Sequence, residues 1–408
     1  MEVRPERAIA DLRELARRTG GPGGARRLCW TPVWQDARAF LRELLAAIDG
    51  VSVELDEAGN LWATLPGEGG GPGEGGRSGA LAVGSHIDSV PNGGWLDGAL
   101  GVMAGVELLR AAAEAGGVAR TLTLIDFADE EGARFGRSLF GSSAVAGTLD
   151  PGAVRDLTDA EGRPIGEVLA EHGVELDRAP RAAARRDRIG TYLELHIEQG
   201  PVLESEDIAV AAVTGTFGVE RHRFTYAGQA SHAGTTPMEM RRDAGLAAAR
   251  TALAVEEIAR EHGGVGTTGV LRLEPGIPTA VPGGAELVVD LRHASAGALA
   301  EMLHAVRAAA ADSADARDVA VSETEIWRIE PIPFDETLVE AALTAAGSGR
   351  RLPSGALHDA AEMARHVPTV MMFTSSTHGR SHAAEEDTPE EHLTAAIAAF
   401  GRLAAGLV

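Results

Sequence analysis

Among 408 residues the chain has one cysteine, Cys29. A lone thiol excludes an internal disulfide and any cysteine-based metal knuckle, and reads as a small buried apolar side chain. Basic residues are also scarce, with 37 Lys and Arg against 60 Asp and Glu, a formal charge of −23. Nucleic acid and anionic membranes both call for a basic face, so neither is expected as a partner. A small anionic substrate needs only a local cation and stays open. No apolar run approaches the roughly 20 residues of a membrane helix. The start, "MEVRPERAIADLRELARRTG", alternates charge and lacks the apolar centre of a signal peptide. A cytoplasmic protein is expected. Repeats are absent, and the low-complexity stretch "GEGGGPGEGGRSG" (67–79) reads as a flexible surface connection, too irregular for a phosphate-binding loop.

What is present is an ordinary globular balance, 44% hydrophobic and 24% charged, over a length that suggests two or three domains. Up to about residue 210, apolar runs ("ALAVGSH", "TLTLIDFA", "TYLELHI") alternate with helical patterns such as 98–115. That texture predicts a largely parallel sheet covered on both faces. From 214 to 326 the strands "VERHRFTYAG", "TTGVLRLEP" and "AELVVDLRH" look half-exposed and are separated by Ala-rich helical runs at 241–262 and 296–312. This is the pattern of an α+β domain with helices on one face of an antiparallel sheet. After "PIPFD" the first texture returns, with helix 335–346, strand "TVMMFT" and helix 389–405. The expectation is a discontinuous α/β domain (1–213 and 327–408) interrupted by a smaller inserted one (214–326).

Chemistry gathers where the predicted strands end. "VGSHIDSVPNGGWLDG" places His86 and Asp88 at one such end and Asp97 in the following loop. "YLELHIEQG" places His196 at another, "SSTHGRSHAAEED" sets His378 and His382 after a third, and "DFADEE" sets Glu130 and Glu131 after a fourth. In open α/β sheets ligands collect at the carboxyl ends of the strands. An isolated acidic doublet is most simply a solvated loop. Four strand ends that all terminate in His, Asp or Glu argue instead for metal. Imidazole and carboxylate without thiolate suit zinc, manganese, cobalt or nickel, and bound cations let neighbouring carboxylates stay ionised.

The ordered set "GSHIDSV…GGWLDG", "DEEGARF", "ELHIEQGPVLE", "SHAGTTPMEMRRDA", "VPGGAELVVDLRH" and "RSHAAEEDT" resembles the M20-type metal-dependent amidohydrolases over about residues 80 to 390. Within them it is most similar to the group of N-carbamoyl-L-amino-acid hydrolase, β-ureidopropionase and allantoate amidohydrolase. The resemblance implies a metallo-exopeptidase-like α/β catalytic domain with an inserted ferredoxin-like dimerisation or lid domain, hence a homodimer. It also implies two divalent metal ions per chain and a small substrate with a carboxylate. Asp97 would bridge the ions, His86 and His196 completing one and Glu131 and His382 the other. Glu130 would be the general base, and Asp88 would accept a hydrogen bond from the His86 ring. His232 would polarise the scissile carbonyl, often from the partner subunit. Arg292 would bind the substrate α-carboxylate, and Gln199 its carbamoyl end.

The resemblance is imperfect at two places. Thr279 stands where relatives commonly carry a carboxylate-binding asparagine, and Leu357, in "SGALHDA", replaces a usual glycine. Thr279, His358 and Asp359 are therefore kept as substrate-site candidates, and His378 as a loop residue. The expected reaction is hydrolysis of the ureido C–N bond of an N-carbamoyl amino acid to amino acid, carbon dioxide and ammonia. Allantoate hydrolysis, or cleavage of another N-acyl amino acid, remains open. So does a non-catalytic binding protein of the same fold, against which the complete set of Glu130 and five ligands argues.

Overall fold

The computed structural model describes residues 1–68 and 79–408, so most of the glycine-rich connection lies outside the described residues. The chain divides into two compact units: Met1–Thr214 with Phe334–Val408, and Gly215–Pro333. The boundary expected at 326 falls inside the strand Ala320–Ile329, and the second unit runs on to Pro333.

In the first unit one sheet runs in the order Val210–Thr216, Thr369–Thr374, Ile189–Ile197, Ala80–His86, Leu122–Phe127, Leu61–Leu65, Ser52–Leu55. The middle four strands are mutually parallel. Both flanks are antiparallel, which corrects the expectation of a largely parallel sheet. Apolar runs reveal burial but not strand direction, so the flanks could not be told from the centre. The strands Ala80–His86 and Leu122–Phe127 are buried along their whole length, as a sheet covered on both faces requires. Helix Ala99–Glu114 packs close on this sheet through glycine: a Cβ on Gly101 would lie 2.6 Å from the Leu195 carbonyl oxygen. Because the four central strands are parallel, their carboxyl ends share one edge. There the chain continues from His86, Phe127, Ile197 and Thr374 into the segments that carry the candidate ligands.

The second unit is a β-α-β-β-α-β arrangement, the split βαβ pattern of ferredoxin-like folds. Its strand order is Val265–Glu274, Gly284–His293, Gly218–Ala227, Ala320–Ile329, antiparallel throughout. Alternate residues Ala285, Leu287, Val289 and Leu291 are buried and cluster with helices Ala244–His262 and Ala296–Asp315. Asp243 and Ser295 start these helices by accepting from the backbone N–H groups of Leu246 and Ala298, a capping arrangement that satisfies donors the helix cannot.

A buried ion pair ties the first unit's edge to its core. Arg38 lies 4.2 Å over the Trp34 ring and donates from Nε to Asp126 Oδ2 at 2.8 Å. Asp126 Oδ1 in turn accepts from the amide of Ile87, the neighbour of His86, at 2.9 Å. In an Arg38→Met variant a side chain of similar length remains, but the guanidinium over Trp34 and the counter-charge of Asp126 are both lost. Breaking such a pair from one side should lower unfolding free energy by about 3–5 kcal/mol, seen as an earlier urea midpoint; an unchanged midpoint would refute this assignment.

Candidate metal centre

The geometry of the acidic doublet begins with the turn that follows Leu122–Phe127. Asp129 adopts φ 57° and Gly132 φ 61°, so the chain bends on both sides of Glu130 and Glu131. A Cβ on Gly132 would sit 2.2 Å from the Arg137 backbone, which with the positive φ makes glycine the fitting residue. Trp30 Nε1 donates to Asp129 Oδ2 at 3.0 Å, fixing the first bend. The amides of Glu130 and Glu131 donate to Asp88 Oδ1 and Oδ2, each at 3.3 Å.

Four side chains from different segments converge on Asp97. His196 Nε2 lies 3.1 Å and His86 Nε2 3.8 Å from Asp97 Oδ1. On the other oxygen, His382 Nε2 lies 3.3 Å from Oδ2 and 3.5 Å from Glu131 Oε2. The result is two triads sharing one aspartate: His86, Asp97 and His196, and Asp97, Glu131 and His382. Backbone carbonyls set the ring orientations. His86 Nδ1 faces Asp88 O at 3.1 Å and His196 Nδ1 faces Ile197 O at 2.9 Å, which leaves each Nε2 lone pair toward the cluster. Glu131 Oε1 is buried without a hydrogen-bond partner. Imidazole and carboxylate donors arranged in this way, with a spare buried acceptor, fit a pair of divalent cations.

Electrostatics point the same way. Burial opposes the Asp97 charge, yet hydrogen bonding with His196 and His382 holds its pKa well below the usual carboxylate range. Burial also opposes a charged His196, but the Asp97 bond and charge prevail and raise its pKa to about 9. His382 is raised to about 9 chiefly by its bond to Asp97. Burial and then the Asp97 charge push Glu131 up to about 8. Burial, followed by the charges of Asp359 and Glu131, lifts Glu130 well above normal. Burial lowers His86 to about 4. The cluster is thus crowded with carboxylates whose pKa values burial and mutual charge push up, beside histidines raised by Asp97.

Several expected contacts differ. Asp88 approaches the His86 ring through its backbone carbonyl; its carboxylate is taken by the doublet's amides, because Oδ1 stays 3.6 Å from His86 Nδ1. Gln199 Nε2 donates to Asp97 Oδ2 at 2.9 Å, while its buried Oε1 has no hydrogen-bond partner. His358 is buried behind His196, ring centroids 4.5 Å apart, with Nε2 2.9 Å from Ser354 Oγ. Asp359 is fully buried near Glu194, and burial raises its pKa well above normal. His378 is exposed and 3.9 Å from Glu204, outside the cluster.

His232, Thr279 and Arg292 belong to the second unit. His232 is exposed and its Nδ1 accepts from Gly234 N at 3.1 Å, so the proton sits on the outward Nε2. Thr279 is exposed, and its carbonyl accepts from Ala233 N at 2.9 Å. Arg292 Nε donates to Asp290 Oδ1 at 2.7 Å. Sequence reasoning missed Arg27, Asp126, Ser381 and Glu386, all bonded to the loops that bear the triads. Only Ser381, beside His382, carried a positional hint.

Comparison with known proteins agrees with this geometry. The chain is 38% identical over 396 residues to an N-carbamoyl-L-amino acid amidohydrolase of Geobacillus stearothermophilus, covering 95% of both chains. To the allantoate amidohydrolase of Escherichia coli it is 34% identical over 377 residues, 90% of this chain and 89% of that one. A crystal structure of an amidase of the hydantoinase/carbamoylase family from Burkholderia multivorans superposes with a TM-score of 0.88 at 31% identity, covering 98% of this chain and 97% of that one. With residues 82–406 also matching the family model, the chain belongs to the peptidase family M20/M25/M40.

Proposed function

We propose that the protein is a dimetal amidohydrolase that cleaves the ureido C–N bond of an N-carbamoyl amino acid, releasing the amino acid, carbon dioxide and ammonia. The observation that carries this reading is the pair of triads sharing Asp97 with Glu130 beside them, its Oε2 3.7 Å from His86 Nε2. His86, His196 and Asp97 would hold one divalent cation, and Asp97, Glu131 and His382 the other. Such a pair, when bound, acidifies water and polarises a carbonyl oxygen.

Glu130 takes the proton from the attacking water and delivers it to the leaving nitrogen, for which its position next to the triads and outside them suits it. Gln199 Oε1, a buried acceptor without a partner, receives a ureido N–H of the substrate. By the family resemblance, His232 of this or another copy would present Nε2–H to the developing oxyanion, a donor of the kind that contributes roughly 3–4 kcal/mol to lowering a barrier. By the same resemblance, Arg292 would bind the α-carboxylate through its guanidinium, whose planar fork matches two oxygens.

The test is ammonia release from metal-loaded protein given N-carbamoyl amino acids, with allantoate as the competing substrate and metal-stripped protein as control. Metal-dependent turnover of the former is expected, and preference for allantoate would redirect the reading to that substrate. Glu130→Gln should lower kcat by about 10²–10⁴ while elemental analysis finds unchanged metal content. A fully active variant would exclude Glu130 as the base.

Loading the site should expel protons. His196 and His382 near 9 and Glu131 near 8 are protonated in the metal-free protein at neutral pH, and cations compete for the same lone pairs. Affinity should therefore climb from pH 7 to pH 9 and level off above, with calorimetric heats that depend on the buffer's ionisation enthalpy. Heats independent of buffer would show that these groups are already deprotonated.

We also propose that the second unit pairs with its counterpart in another copy. Val265–Glu274 is an edge strand with Val265, Leu271 and Leu273 exposed, and helix Ala244–His262 exposes Leu246 and Leu253. Unpartnered edges and aliphatic patches of this kind favour association. Leu253→Glu combined with Leu271→Glu should convert a dimer to a monomer in analytical ultracentrifugation; a wild type that is monomeric at micromolar concentration would end the proposal.

A further inference from the structure

Glu386 has no part in the roles above. It follows His382 by four residues in the run "AAEED", where a solvated side chain would be ordinary, yet it is 2% exposed. Its Oε1 accepts from the amides of Leu96 at 3.2 Å and Asp97 at 3.0 Å. Its Oε2 accepts from Ser381 Oγ at 3.0 Å, and that hydroxyl also lies 3.1 Å from Asp97 Oδ2. Both oxygens are thus engaged, so Glu386 is not itself free to act as a ligand. The carboxyl group fills space beside Gly94, where a Cβ would come within 2.0 Å of it. Arg27 is completely buried, donates from Nε to Ile87 O at 2.7 Å, and has Glu386 first among the carboxylates acting on it. A buried polar group is tolerated when it is hydrogen-bonded, and Glu386 has bonds from two amides and a hydroxyl.

Asp97 is the residue common to both triads, and its two oxygens face different histidines. Drift of its loop away from residues 381–382 would lengthen the distance from Oδ2 to His382 Nε2, whereas His86 and His196 face Oδ1 and come from other segments that Glu386 does not bond. We propose that Glu386 is a positioning residue for the second cation. It clamps the loop bearing Asp97 to the segment bearing His382, keeping Oδ2 and Nε2 3.3 Å apart. This rests on the two-cation reading of the site.

The test is a titration of metal-free protein with Co²⁺, following visible d–d absorption and bound cobalt per chain. In Glu386→Ala the first ion should bind as in wild type with the same spectrum, and the second should bind about 10–100-fold more weakly, as when partners of metal ligands are removed. Glu386→Gln keeps an acceptor for the two amides and a polar group for Ser381, and should bind both ions nearly as wild type does. If Glu386→Ala does not fold, Ser381→Ala carries the test, with weakening of the second ion alone expected. Wild-type binding of both ions in the Ala variants, or equal weakening of both, would overturn the clamp. A wild type that takes up fewer than two ions would instead overturn the two-cation reading and the clamp with it.

Discussion

Crowding of acid at one edge of the sheet is the constraint on which the first unit depends. Asp88, Asp97, Glu130 and Glu386 are all buried, and the Glu131 side chain is 7% exposed. Carboxylates at such depth need partners, and this chain supplies them mostly as backbone amides. Asp126 holds Ile87, Asp88 holds Glu130 and Glu131, and Glu386 holds Leu96 and Asp97. Each stitch runs from one strand-end segment to another, so carboxylates that ligate nothing fix the loops that carry the ligand candidates. Arg38 is bonded to Asp126, and Arg27, whose pKa burial lowers, lies in the field of Glu386, Asp88, Asp97 and Glu131.

This division explains what could be read from the sequence. Strand ends of a parallel sheet share an edge, so the apolar runs before His86, Glu131, His196 and His382 pointed to one neighbourhood, while the choice of His86, Asp97, Glu131, His196 and His382 as ligand candidates came from the family resemblance. Glu386 was not legible, since an acidic run after a histidine looks like a solvated loop and nothing in its order along the chain says which amides it reaches. Asp88 was assigned the right neighbourhood and the wrong atoms. Two residues after His86, its carbonyl can meet the ring, which frees the carboxylate to bind a turn 42 residues away in sequence. The antiparallel flanks escaped for a related reason: burial pattern encodes faces, and pairing direction depends on connections.

The inserted unit was legible from texture because its strands alternate. Gly284–His293 buries every second residue, and the Ala-rich helices fill the face so created. Its far boundary was less clear. Ala320–Ile329 is largely exposed along its length, so its apolar pattern fades before the strand does, and the texture change lies short of Pro333. The two hydrophobic clusters are separate, one built on the mixed sheet and one on the antiparallel sheet.

Thr279 and Leu357 show which departures from a family pattern a backbone can absorb. At Thr279 the main chain holds the local structure: its carbonyl bonds Ala233, and next to it Ala280 pairs with His232 in a short antiparallel bridge. A change of side chain there alters one exposed hydroxyl and leaves the setting of His232 intact. Leu357 is not among the residues at positive φ, so the conformation does not demand glycine, and the leucine adds bulk beside His358 without backbone strain. His358 in turn packs on His196 and is bonded to Ser354. Neither side chain is bonded to Asp97, whose surrounding atoms are fixed by residues elsewhere. The charge arrangement around Asp97 therefore does not depend on either departure.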